Sequence, residues 1–243
     1  MLLQGTTYNT TMALAAGAII LLVPLFMRAA QRNNSLSIAG WGYAFVFLGF
    51  FLGASGLHMM LTWPLDQIDG AFCCKVDNIT FGEPAAYYGL LTFIAGIAIL
   101  RAQSKADAGI RPMTGDGYFT LLRPILIAAS IGGFGLILIG IGGMHFGMWR
   151  PPDIEPVARL LAGSLLEPLL MMVLYVGTGI TAILSPFINT NRWVARVFTL
   201  FSWGFGILWL FLSFTVFYSH IGFFPQPDGT YIWCDVQAGC SVC

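Results

Sequence analysis

Hydrophobic positions along this chain come in long blocks rather than in alternation. Six apolar stretches of near-spanning length run at roughly 12–30, 38–62, 84–102, 122–147, 165–187 and 194–222. A membrane-spanning helix needs about 20 apolar residues, so each block predicts one span. The segments between the blocks are short. The two longest run from Trp63 to Glu83 and from Gln103 to Leu121. The expected fold class is all-α, an integral membrane bundle of six transmembrane helices. One domain is expected over residues 1–224, followed by a tail at 225–243 that carries Cys residues. Met1 to Met12 contain no basic residue ahead of the first apolar block, as a cleavable signal requires. The first helix is therefore expected to remain in the mature protein.

The pattern contains an internal repeat. Gly56-Leu57-His58-Met59-Met60-Leu61-Thr62-Trp63-Pro64 returns as Gly143-Met144-His145-Phe146-Gly147-Met148-Trp149-Arg150-Pro151. Glu83-Pro84 follows the first copy and Glu167-Pro168 the second, each leading into an apolar block. Spans two and three thus predict one helical hairpin, and spans four and five a second in the same orientation. Ser219-His220-Ile221-Gly222-Phe223-Phe224-Pro225 is a partial third copy at the end of span six.

Composition excludes a soluble globule, because only 9% of residues are charged and 57% are apolar; soluble domains carry about a quarter charged residues. The net charge is zero, but the charges are unevenly placed. Arg28, Arg32, Arg101, Lys105, Arg111, Arg123, Arg192 and Arg196 flank the first, third and fifth loops. Asp66, Asp69, Asp77, Glu83, Asp153, Glu155, Glu167, Asp228 and Asp235 fall on the other side. Basic residues collect on the cytoplasmic side, so both termini are expected to be extracytoplasmic in a multi-pass protein of the cell membrane. No long basic run exists, and nucleic acid is not an expected partner.

Polar chemistry is scarce. His58, His145 and His220 each precede the outer end of an even-numbered span by about a turn, and Glu83 and Glu167 sit at the outer start of odd-numbered ones. Ionisable residues within membrane segments tend to face the bundle interior and mark function. These five are suitable metal ligands, for copper, iron, zinc or manganese. They also suit a proton relay. A bland alternative stands beside both: a Glu before a Pro meets the positive end of a helix dipole, and a His near the interface can bond a loop carbonyl.

Met59, Met60, Met144 and Met148, with Met171 and Met172 slightly deeper, lie near the same level. They favour copper slightly over iron if they are more than packing. Haem b held between two His is a rival, for which the glycines of span four (Gly132, Gly133, Gly135, Gly140, Gly142 and Gly143) would make room; close helix packing is their plainer explanation.

Cys73, Cys74, Cys234, Cys240 and Cys243 all lie on the predicted outer side. They are disulfide candidates of open pairing, and zinc is a further option. Trp63 and Trp149 at the outer interface, with Trp41 and Trp193 at the inner one, read as an aromatic belt. Asn78-Ile79-Thr80 is a glycosylation pattern that matters only in a eukaryotic host. There is no phosphate-binding loop, dinucleotide fingerprint or nucleophile elbow. No span carries a charge near its middle, which argues against transport across the bilayer.

The segments Tyr8-Asn9-Thr10, Gly56 through Pro64 and Phe81-Gly82-Glu83-Pro84 resemble an uncharacterised family of multi-pass bacterial and archaeal membrane proteins, domain-of-unknown-function family 981. The resemblance covers the chain up to about Phe224 and implies the membrane fold, with no activity or ligand attached. There is also a general likeness, without a shared motif, to copper membrane monooxygenases. The expected function is an extracytoplasmic-facing His/Glu metal site, with copper or iron, in a redox or oxygenase-type subunit. The alternatives are a non-catalytic structural subunit of a larger membrane complex and a haem-b electron carrier. The lipid bilayer and other membrane subunits are the expected partners.

Overall fold

The structure is a computed structural model, and it describes residues 8–32, 38–62, 75–110, 114–149 and 164–218. Six long helices account for nearly all of them: α1 (Tyr8–Arg32), α2 (Ala39–Thr62), α3 (Lys75–Asp107), α4 (Gly115–His145), α5 (Leu166–Leu184) and α6 (Arg192–Leu212). A short 3-10 turn, Ser185–Phe187, ends α5, and a π turn, Ser213–Phe217, ends α6. There is no strand among the described residues. All six helices are long and apolar enough to cross a bilayer. Their outward faces carry large apolar side chains such as Phe47, Phe134, Leu138 and Leu200, as lipid contact requires.

Local chemistry sets several boundaries. The Thr114 hydroxyl accepts the Gly117 N–H at 3.2 Å and starts α4. Asn191 Oδ1 accepts the Trp193 N–H at 2.7 Å and starts α6. Two helices begin about two turns earlier than the hydrophobic blocks predict. α3 starts at Lys75 instead of near residue 84, and α4 at Gly115 instead of near residue 122. Polar turns extend both helices beyond the apolar block, a part that hydropathy cannot see. Asn78-Ile79-Thr80 is therefore inside α3, with Thr80 buried, and is not the surface loop that glycosylation needs.

The helices pair as α2 with α3, α4 with α5, and α1 with α6. The first two pairs are the predicted hairpins. Small residues form each seam. On α2, a Cβ added to Gly49 would lie 2.3 Å from the Phe93 nitrogen. One added to Gly89 of α3 would lie 2.2 Å from the Gly53 nitrogen. Gly42 faces Gly96, and Gly56 faces Ala85 and Ala86. Gly133 and Gly179 meet in the same way between α4 and α5, as do Gly17 and Gly206 between α1 and α6. Lipid is as apolar as a side chain, so such helices associate by close backbone approach rather than by hydrophobic burial. The Thr10 hydroxyl donates to the Phe217 carbonyl at 2.7 Å, which ties the start of α1 to the end of α6 at one end of the bundle.

Replacing Gly89 by Ala drives a methyl group into the backbone of α2. We expect a loss of about 1–3 kcal/mol, the usual range for overpacking. Gly204→Ala, where nothing lies within 4 Å, is expected to be neutral or slightly stabilising. Thermal unfolding in one mild detergent compares the two.

Candidate functional site

The repeat glycines determine where the repeat histidines go. Gly56 sits against α3, and the Met60 backbone meets Gly82 of α3, so both lie on the α2–α3 seam. His58 lies midway between them in sequence, about 200° around the helix from each. It is exposed on the opposite face, where the Thr62 hydroxyl donates to its carbonyl and sits 3.4 Å from Nδ1. The second copy behaves alike. Gly133 and Gly140 face α5, Gly143 faces Trp149, and His145 is exposed with its ring 4.8 Å from that of Phe146.

The two Glu residues part company. Glu83 is exposed and lies more than two turns inside α3, so it does not begin that helix. Glu167 is in the first turn of α5 and only 6% exposed. Helix-start stabilisation thus applies to Glu167 and not to Glu83. Among the described residues, no group of three His, Cys, Asp or Glu lies close enough to hold a metal ion. His220, the five cysteines, Trp63 and the tail at 225–243 lie outside the described residues.

Several of the other sequence candidates pack closely against neighbours. Met59 is fully buried and packs with Met12, Leu52 and Ala85. In α4, Gly132 accommodates Tyr87 and Tyr88, Gly133 meets Gly179, and Gly140 meets Tyr175. These glycines serve helix contacts, as one of the two readings expects. Trp149 is a correction: it is 5% exposed and belongs to the core, not to an interfacial belt. A Cβ on Gly143 would fall 1.9 Å from Trp149 Nε1, so Gly143 opens the slot that takes the indole inward. Its Nε1–H then reaches the Gly140 carbonyl at 3.1 Å.

Trp149 joins an aromatic plug at this end of the bundle. Phe81 lies at its centre, 6.2 Å from Trp149, 6.1 Å from Tyr175 and 5.5 Å from Phe217, between ring centroids. Trp149 stacks on Tyr175 at 5.0 Å. Tyr175 also answers a specific need. Pro84 lies inside α3 and has no N–H for the carbonyl four residues earlier, that of Thr80. The Tyr175 hydroxyl donates to that carbonyl at 2.9 Å, in a buried bond between α5 and α3.

Beneath the plug lies an apolar cavity of about 220 Å³, lined by all six helices. Its wall on α1 runs from Met12 to Met27, roughly 22 Å at 1.5 Å per residue. Most of its polar lining atoms are committed. Tyr88 donates to the Ala129 carbonyl, Thr92 to Tyr88, Thr181 to Gly177 and Ser185 to Ala182. The Thr178 hydroxyl accepts from Trp209 Nε1. Ser202 differs: its buried hydroxyl has no hydrogen-bond partner. The sequence signal for it was weak, a single hydroxyl in an apolar block.

The model of a family described as "Protein of unknown function (DUF981)" matches residues 6–222. The chain belongs to this family. No curated protein and no solved structure matches it. The family match and the six membrane-length helices agree on a multi-pass membrane protein.

The Tyr175–Thr80–Pro84 relation predicts a coupled effect. Tyr175→Phe leaves a buried carbonyl without its donor and should cost about 1–3 kcal/mol. Pro84→Ala restores an N–H in the helix, and the same Tyr175→Phe change should then cost about 1 kcal/mol less. A double-mutant cycle of thermal stability measures the difference.

Proposed function

We propose that this protein is a membrane-embedded binding protein for an apolar, chain-like molecule, such as an isoprenoid or acyl chain, held along the bundle axis. The observation that carries the reading is the central cavity: long, lined by all six helices, and mostly apolar, with one lining hydroxyl, that of Ser202, left without a partner. Binding sites for small molecules are of this kind, mostly apolar with a few placed polar groups. The volume exceeds the roughly 150 Å³ that admits a benzene ring in an engineered apolar cavity. The length along α1 exceeds the roughly 15 Å of one leaflet's hydrocarbon. In this reading Ser202 supports an oxygen of the ligand at mid-depth. The charge asymmetry of the loops supports an orientation with the Arg-bearing end in the cytoplasm and the aromatic plug at the outer end.

A second reading, a redox metal centre with copper or iron at the outer end, draws on Glu167. A buried carboxylate near a membrane surface is costly and often functional. Elemental analysis of the wild type and of Glu167→Gln separates the two roles. Near-stoichiometric metal that disappears in the variant supports the centre. A metal-free wild type leaves Glu167 as a helix-start group.

The main reading is tested by solvent extraction and mass spectrometry of protein purified in mild detergent. We expect a near-stoichiometric apolar molecule that falls several-fold in Ala182→Phe, which fills the cavity, and is kept in Leu138→Phe on the outer face. Ser202→Ala should weaken retention without unfolding the bundle. A bare wild type, with Ala182→Phe melting higher as a simple cavity filler, overturns the reading.

A further inference from the structure

We propose that a groove between α1 and α6, at the Arg-bearing end of the bundle, binds the phosphate of an anionic phospholipid headgroup. The groove has a volume of about 500 Å³ and shares only Met27 and Phe198 with the wall of the central cavity. Its floor is apolar, formed by Pro24 and Met27 of α1 and Phe198 of α6. Two cations stand on opposite sides, Arg28 from α1 and Arg196 from α6, with the amides of Gln31 and Asn189 beside them. No acidic side chain lines it.

The charges are unspent. Among the described residues Arg28 has no hydrogen-bond or ion-pair partner, and Arg196 only stands over the Trp193 ring, 5.0 Å from its centroid. Two guanidinium groups facing one groove repel each other unless an anion lies between them. A phosphate fits because its oxygens accept paired N–H donors from each fork.

The surroundings point to a lipid rather than to a free ion. The groove is bordered by Leu200, which is 71% exposed, and Val197 and Trp193 of the same helix are also exposed. These side chains continue from the cationic rim onto the lipid-facing wall. A phospholipid can therefore place its phosphate between the two Arg residues and its chains along α6. Basic pockets between transmembrane helices recognise anionic headgroups by this division of labour.

The test is native mass spectrometry of detergent-solubilised protein titrated with phosphatidylglycerol or with phosphatidylcholine of the same chains. The expected result is tighter binding of phosphatidylglycerol to the wild type, about 30-fold weaker in Arg28→Gln/Arg196→Gln. Arg101→Gln/Lys105→Gln, which removes two cations from the last turns of α3 at the same end, should bind like the wild type. Equal binding of the two lipids, or a double variant that binds phosphatidylglycerol as well as the wild type, overturns the proposal. Displacement of the lipid by millimolar inorganic phosphate also overturns it, because the site would then belong to a free phosphate.

Discussion

Two helices in lipid gain little from hiding apolar surface, since the lipid already solvates it. What holds them together is close contact between backbones and the few hydrogen bonds that close contact permits. The α2–α3 seam is the clearest case. Gly42, Gly49, Gly53 and Gly56 lie along one stripe of α2, and at Gly49 and Gly56 the backbone of α3 comes to distances that no Cβ would tolerate. The rest of α2 is arranged around that stripe. Phe45, Leu52 and Met59, each seven residues apart, form a second stripe that packs into the core. What remains faces outward and carries Phe47, Phe50 and His58. The direction of one histidine is thus set by where the glycines must be.

The same constraint leaves a space in the middle. Glycines bring the helices together in pairs, but three tight pairs do not fill the axis between them. The residues that reach it include Ala13, Ala16, Ala85, Ala95, Ala129 and Ala182, which are too short to close it. Aromatic side chains close the ends instead. The Phe81 plug stands at one end. At the other, Phe26 meets Phe45 at 5.7 Å and Tyr118 at 6.1 Å, both edge to face. Rings suit this task because they cover a large area with few rotatable bonds and stack against one another. The cavity follows from small residues along the walls and large ones at the two ends.

The six spans and the two hairpins were legible because the bilayer leaves little choice: a backbone in lipid must bond to itself, and long apolar blocks become helices. The direction of side chains was less legible. The repeat was real, but the shared element was Gly56 and Gly143 making room for a neighbour. The histidines two residues later were carried to the outside. The Gly49-Gly53-Gly56 spacing already contained that information, because it marks the packed face. Pro84 misled for a different reason. Locally it reads as the first residue of a helix. It lies in the interior of α3, and the carbonyl it deprives finds its donor in Tyr175, 95 residues away along the chain. Such compensation is tertiary and leaves no trace in the neighbouring sequence. Trp149 belongs to the same class, since its burial depends on a slot formed by Gly143.

Ser202 is the feature on which the proposed function distinguishes the cavity from a packing defect. Several hydroxyls in these helices turn back to a carbonyl one turn earlier, and among the described residues only those of Thr80 and Ser202 are buried without a hydrogen-bond partner. Thr199 bonds the Ala195 carbonyl, Thr181 that of Gly177, and Ser213 that of Trp209. Ser202 has the same opportunity with the Phe198 carbonyl and does not take it. Pro24 of α1 adds to this, because it has no N–H to offer the carbonyl of Ile20, another residue on the cavity wall. A buried polar group without a partner costs free energy, typically 1–3 kcal/mol. The bundle meets that need at the Thr80 carbonyl with a tyrosine from another helix. At Ser202 it supplies nothing from its own side chains. A wall of alanine and leucine alone would select an occupant by shape. On the proposed function, the hydroxyl left open at mid-depth adds a chemical criterion: a molecule apolar along its length with one polar atom at that level.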